Sequence, residues 1–349
     1  MLIKDYIKSF AIVIIVVFTI LNPYFIIESV KSGLFICYES IIPSLFVFMV
    51  IANYASQDTI LKILSYPLTW YSKLMKVEDY SYSGYLLLSL IGGFAVGAKF
   101  INRLENTNYS EKSVCVLGTA MINNSLGFCV FALGAGMLKN FTVGLFLYMS
   151  CTAASLITAF ILSFIYKYNI VTAISFPYKT ETNIIDSINN AVSSTLSICG
   201  FVIVFNALCE AISLYSFKNK TLLDLLCVFV ELTSGCIKII ANFNDKPYLL
   251  CFALSIIPIS TLCQVFYFTQ NKPLISLLIK SRLIHTPVSL LIFSLLSNLF
   301  PASVAVASFN DSVLKNFSYN AELSFTLFVL SIIFIKILDK NKLFTNASK

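Results

Sequence analysis

Apolar residues run along this chain in blocks of 18 to 25, separated by short polar stretches. About 20 such residues are enough to cross the hydrocarbon core of a bilayer as a helix. Ser9 to Ile27 and Phe141 to Tyr166 carry no charge at all. The pattern predicts membrane segments near 7–27, 33–55, 82–103, 113–137, 141–166, 188–215, 221–243, 248–269, 273–299 and 323–338. An all-α polytopic membrane protein follows, with about 8–10 membrane segments. Two polar stretches interrupt the series. Residues 56–83 hold Lys62, Lys73, Lys76, Glu78, Asp79 and the single tryptophan, Trp70, and predict an amphipathic interfacial helix. Residues from 167 to about 190 link two halves.

Several blocks make poor continuous helices. Pro43 sits in the middle of 33–55, and Gly92, Gly93 and Gly97 lie in 82–103. Asn123-Asn124-Ser125 interrupts 113–137, and Pro258, Ser260, Thr261 and Gln264 interrupt 248–269. Unpaired backbone at membrane depth is tolerated only inside protein or beside a water-filled cavity. The interruptions also repeat. An offset of 136 places Cys115, Thr119, Ser125 and Leu126 over Cys251, Ser255, Thr261 and Leu262, and an offset of 138 places Gly97 over Gly235. Phe46-Val47 falls over Phe201-Val202 at a larger offset. The reading is two related, inverted repeats with broken or re-entrant helices, an arrangement from which transporters build a midplane site. Its parts are an N-terminal transmembrane helix (1–30), a first repeat (31–166), a linker (167–187), a second repeat (188–300), and a C-terminal helix with a basic tail (301–349).

Composition agrees: 58% of residues are hydrophobic and 12% charged, about half the charge of a soluble domain. The net charge of +7 is scattered through loops and tails, where it sets topology and implies no nucleic acid. Lys336, Lys340, Lys342 and Lys349 against Asp339 predict a cytoplasmic C-terminal tail, and Lys4 and Lys8 place the N-terminus on the same side. The run after Lys8 is too long for a secretory signal and reads as a retained helix. Most of the ten cysteines lie inside apolar runs with no CxxC pair, which reads as small apolar residues at helix contacts.

The candidates for chemistry are the polar groups at depth, which are costly there. Gly92 to Lys99 offers Gly93 and Gly97 for a sharp turn or close backbone approach, with Lys99 placed to meet an anion; a glycine-packed helix with a snorkelling lysine is the alternative. Asn123, Asn124 and Ser125 offer donors and acceptors without full charge, or interhelical bonds. Glu231, Thr233, Ser234 and Gly235 occupy the corresponding place in the second half, with Glu231 the candidate for a coupling ion or proton. Gln264 completes the polar set. Of 24 basic residues only Arg103 and Arg282 are arginine; Arg282, beside the sole histidine, His285, suits a bidentate contact with a carboxylate. No HExxH, GxSxG or P-loop occurs, so an enzyme is not expected, nor a metal or other cofactor.

Taken in order, these elements resemble a known family. Ile42-Pro43-Ser44-Leu45-Phe46-Val47-Phe48, Gly92 to Lys99, Met121 to Ser125 followed by Gly134 and Gly136, Gly200 to Ile203, Glu231 to Gly235, Gln264 and Arg282 resemble the YlbJ/SpoVV sporulation integral membrane proteins. Gly92, Phe94, Ala95, Val47 and Leu126-Gly127 depart from that family's motifs. The family belongs to a wider group with nucleoside-transporter-like gate domains. The resemblance implies export of dipicolinic acid, a small aromatic dianion, across the mother-cell or outer forespore membrane of a sporulating bacterium. Lys99 and Arg282 would then hold substrate carboxylates, and rocking of one half against the other would alternate access. A nucleoside carrier and a non-transporting scaffold of spore formation are the other readings, and a homo-oligomer in the bilayer stays open. A cavity without cationic groups would favour the uncharged nucleoside.

Overall fold

The computed structural model describes residues 2–77, 80–105, 109–166, 183–214, 220–243 and 245–301. Most of the expected linker and the whole of 302–349, including the segment at 323–338, lie outside the described residues. Among the described residues every regular element is helical. Five rods are long and apolar enough to cross a membrane: Pro23–Ala55, Phe141–Ile165, Ile184–Ser213, Lys246–Thr269 and Lys272–Leu299. The chain is therefore an all-α polytopic membrane protein.

The first rods differ in their bounds from the hydropathy blocks. Helix α1 (Leu2–Leu21) ends at Asn22, and α2 (Pro23–Ile36) starts on the proline, whose missing N–H costs nothing at a first turn. A π turn at Cys37–Ile41 joins α2 to α3 (Ile42–Ala55), so Pro43 does not break the rod. The wider turn shifts the bonding pattern ahead of the ring, and Ser44 Oγ donates to the Ser40 carbonyl at 2.5 Å. The polar stretch that follows holds α4 (Asp58–Ser65) and α5 (Thr69–Leu74). Tyr71 is 2% exposed and donates its hydroxyl to the Leu156 carbonyl, whereas Trp70 is 59% exposed. One face packs on protein, and Ile63, Tyr66, Trp70 and Leu74 face outward, as an interface-lying segment requires.

Two expected crossings turn out to be re-entrant hairpins. Helices α6 (Tyr80–Gly92) and α7 (Phe94–Glu105) lie side by side, with the Tyr85 and Phe100 rings stacked 4.6 Å apart. A continuous helix would separate those residues by about 22 Å. Helices α11 (Lys220–Val230) and α12 (Leu232–Asn242) fold back as tightly, since a Cβ on Gly235 would stand 2.6 Å from Val228 Cα. Arms of 11 to 13 residues reach about 17–20 Å, short of a ~30 Å core. The segments at 82–103 and 221–243 therefore enter and leave on one side. By contrast, α8 (Glu111–Met121) runs on through an unwound 122–125 into a π-helix, Gly127–Met137. Likewise α13 (Lys246–Ser255) passes an unwound 256–258 into α14 (Ile259–Thr269).

With α9 (Phe141–Ile165), α10 (Ile184–Leu214) and α15 (Lys272–Leu299), each half reads as rod, hairpin, broken rod, rod. Three rods per half reverse the direction of the next copy, so equivalent rods should run antiparallel. They do. Asn206 donates to the Ser29 carbonyl and Asn53 to the Ser187 carbonyl, which runs α10 backwards along α2 and α3. Rings of Phe146 and Phe300 meet at 5.9 Å while Cys151 meets His285, which runs α15 backwards along α9. Helix α8 packs on α9 and α15, and α13 packs on the same two in exchanged roles. Asn140 and Asn271 cap the N-termini of α9 and α15 through their Oδ1 atoms. The ten cysteines are free and nearly all buried in these contacts, with no disulfide.

Candidate functional site

All four interruptions meet at the centre of the molecule. The first hairpin turns at Gly93, whose φ of +84° suits a residue without a Cβ. A Cβ there would stand 2.7 Å from Ser125 Cβ, so the hairpin tip rests on the break of the first broken rod. The second hairpin turns at Glu231, whose Oε2 accepts from the Ser234 N–H at 2.6 Å and caps α12. In the first broken rod, Ser125 Oγ accepts from the Phe128 N–H at 3.0 Å and caps the π-helix. Asn124 Nδ2 donates to the Leu254 carbonyl at 2.7 Å, tying the first break to the second.

These pieces enclose a cavity. Its polar lining is Asn124, Ser125, Glu231, Thr233, Thr261 and Gln264, with Gly92 and Gly93 at one tip. Its apolar wall comes from Phe94, Phe128 and two of the long rods, among them Leu45 and Met49 of α3 and Ile198 and Val202 near the middle of α10. The cavity therefore lies level with the middle of α10. Water fits into about 30 Å³ of it, room for about two molecules. Gln264 is 2% exposed, lines this space, and its Oε1 finds no protein donor. Buried polar atoms almost always have a partner, so an orphan acceptor on a cavity wall marks a place for a ligand's donor. The N-termini of α7, the π-helix, α12 and α14 all end on this space, two of them uncapped by any side chain.

Of the residues singled out by sequence, Gly93, Asn124, Ser125, Thr233, Gln264 and Glu231 line the cavity. The other five do not. Gly97 packs against the Met121 backbone, where no side chain fits. Asn123 turns away to donate to Thr152 Oγ1 and Ser155 Oγ on α9. Ser234 Oγ donates to Asn206 Oδ1 at 2.7 Å and holds the hairpin on α10. Lys99 Nζ reaches Ser194 Oγ and the Asn190 carbonyl on α10, beside the Phe268 ring. Arg282 is spent elsewhere too. Its Nη1 donates to the Ser255 carbonyl at 3.2 Å, an acceptor that His285 Nδ1 at 3.1 Å and Thr286 Oγ1 at 3.4 Å also face. Ser255 is the last residue of α13, so its carbonyl is one that the break leaves without an N–H. The cation at that helix end also complements the helix dipole. Arg282 therefore clamps the break from behind and is not a fork for a carboxylate in the cavity.

Sequence reasoning placed the Thr261–Gln264 stretch at the site, and Thr261 lines the cavity; it missed the apolar wall. The wall residues are ordinary span residues, and nothing in their type separates them from lipid-facing neighbours. Glu231 yields a two-part prediction. Glu231→Gln keeps an oxygen to cap α12, so the fold should hold while any role for the charge is lost. Glu231→Ala also removes the cap and should cost about 1 kcal/mol more, read as a lower unfolding midpoint than Glu231→Gln in the same detergent.

No family profile, curated protein or solved structure matches the chain.

Proposed function

We propose that this chain is a membrane carrier of a small polar solute, with the central cavity as its binding site. The observation that carries the reading is convergence: two hairpin tips and two helix breaks, one of each from each half, frame one largely apolar cavity into which an unpartnered Gln264 oxygen is set. A scaffold would need its breaks only sealed inside dry protein, whereas these breaks frame a cavity. In this closed form the cavity takes about two waters, so a solute enters when a hairpin tip moves. Because the halves are inverted, the tips approach from opposite faces, and parting one at a time gives alternating access.

The lining also bears on the solute. Neither Lys99 nor Arg282 contributes, and the one ionisable group on the wall is the Glu231 carboxyl. Amides, hydroxyls and the two aromatic rings favour an uncharged, hydrogen-bonding solute of the nucleoside class. An aromatic dianion such as dipicolinate would depend on the amide dipoles of α7 and α14 alone. The test is uptake into proteoliposomes holding the full chain, with labelled uridine and labelled dipicolinate offered separately and as competitors. Saturable uridine uptake that dipicolinate does not inhibit is the expected result. Dipicolinate uptake alone would overturn the solute class, and uptake of neither by protein shown to be inserted would remove this solute reading.

A further inference from the structure

Lys99 and Lys238 hold matching places on the second arms of the two hairpins, six residues past Gly93 and seven past Glu231. Each turns to α10. Lys99 Nζ donates to Ser194 Oγ and, at 3.4 Å, to the Asn190 carbonyl. Lys238 Nζ donates to Ser213 Oγ at 2.6 Å and lies 3.9 Å from Glu210 Oε1. The two acceptors are alike as well. Ser194 gives its hydroxyl proton to the Asn190 carbonyl, and Ser213 gives its own to the Cys209 carbonyl, each four residues back along α10. A serine has one hydroxyl proton, so each meets its ammonium with lone pairs only, and an ammonium only donates. We propose that Lys99 and Lys238 are paired latches, each of which holds one hairpin shut against an opposite end of α10.

The length of α10 gives the two ends their meaning. At 1.5 Å per residue, Ser194 and Ser213 stand about 28 Å apart along the rod, and the cavity residues Ile198 and Val202 lie between them and close to Ser194. Helix α7 leaves its tip toward the Ser194 end, and α12 leaves its tip toward the Ser213 end. The arms therefore run to opposite faces, and each lysine stands between the cavity and one of them. A lysine within reach of a face ordinarily extends its ammonium to the headgroups. These two lie along protein instead: the Lys238 side chain is 14% exposed, and Lys99 Nζ sits 5.8 Å from the centre of the Phe268 ring on α14. The second hairpin has a further tie to α10 near its tip, from Ser234 to Asn206, so it should yield less to loss of its lysine. The use of the latches, to open one face at a time for a solute, rests on the carrier reading; the closing of the cavity does not.

The cavity itself reports on the latches. Thr261→Cys puts a thiol on its wall, and a charged, membrane-impermeant methanethiosulfonate is applied to one face at a time in sealed vesicles of either orientation. The same chains without Thr261→Cys set the background, since nine of the ten native cysteines are buried. Lys99→Met should speed labelling from one face about tenfold, because a hydrogen bond from a charged group is worth at least that factor. Lys238→Met should speed it from the other face, and by less. Both substitutions remove a charge at depth, which favours insertion. Ser194→Ala and Ser213→Ala take away the acceptors without touching charge. Each should reproduce the effect of its lysine on the same face, with no further gain when the two changes are combined. Faster labelling from one shared face, from both faces at once, or in neither lysine variant would overturn the latches, as would serine variants that label at the starting rate. Uptake is measured on the same vesicles. Face-specific labelling in protein that carries neither uridine nor dipicolinate would count against the carrier reading and leave the latches standing. Saturable uptake with unchanged labelling would do the reverse.

Discussion

Gly93→Ala should cut solute uptake by at least about tenfold while the chain still inserts, a loss equal to about 1.4 kcal/mol or more at the rate-limiting step. Two costs combine. A left-handed backbone costs an L-residue about 1–2 kcal/mol, and φ at Gly93 is +84°. The new methyl would also stand 2.7 Å from Ser125 Cβ and 2.9 Å from Ser125 N, overpacking of the kind that costs about 1–3 kcal/mol. The strain falls where the hairpin tip meets the break, so it should open the site before it unfolds the bundle. Gly200→Ala is the matched control. A Cβ there meets nothing within 4 Å, and alanine gains up to about 1 kcal/mol of helix propensity. Wild-type uptake by the Gly93 variant would show that this tip does not form the site.

The positions of the breaks were readable because irregular backbone leaves a trace in residue type. Glycine, proline and asparagine clusters at depth marked three of the four interruptions, and the fourth, at Glu231, was reached only through its correspondence with the first glycine cluster; the structure unwinds the chain at Gly93, 122–125, Glu231 and 256–258. The offset of 138 that pairs Gly97 with Gly235 also carries Gly93 onto Glu231, the two hairpin tips. Whether a block crosses or turns back was not readable. Two apolar arms of about a dozen residues have the hydropathy of one spanning helix, and only contacts such as Tyr85 on Phe100 separate the cases. Pro43 misled for the opposite reason, because a π turn absorbed it without interrupting the rod.

Side-chain direction explains the rest. Asn123 and Asn124 are neighbours in unwound backbone, where successive side chains point to opposite sides. One therefore faces α9 and the other the cavity, a division that residue type does not reveal. Hydropathy likewise places Lys99 and Arg282 at depth without saying which helix face bears them. The partner of Arg282 is a main-chain oxygen exposed by a break 27 residues away, so there was no side chain to pair it with.

That assignment separates two variants at position 282. As a fork on a substrate carboxylate, Arg282 would tolerate lysine no better than methionine. As a clamp on the Ser255 carbonyl, it is replaceable by any long cation that donates one hydrogen bond. Arg282→Lys should therefore keep uptake within about threefold of wild type, and Arg282→Met should lose about tenfold or more, since 1.4 kcal/mol is a factor of ten. The unfolding midpoint is expected to move little in the methionine variant. Losing a charged donor costs about 1.5–3 kcal/mol, but Arg282 Nε has no partner, and relieving a buried charge of its desolvation returns a comparable amount. Uptake should fall all the same, because the carbonyl at the break keeps only His285 and Thr286, and the Asn124 contact one residue earlier loses its anchor. Equal loss in both variants would return Arg282 to the substrate and require the cavity to reach α15.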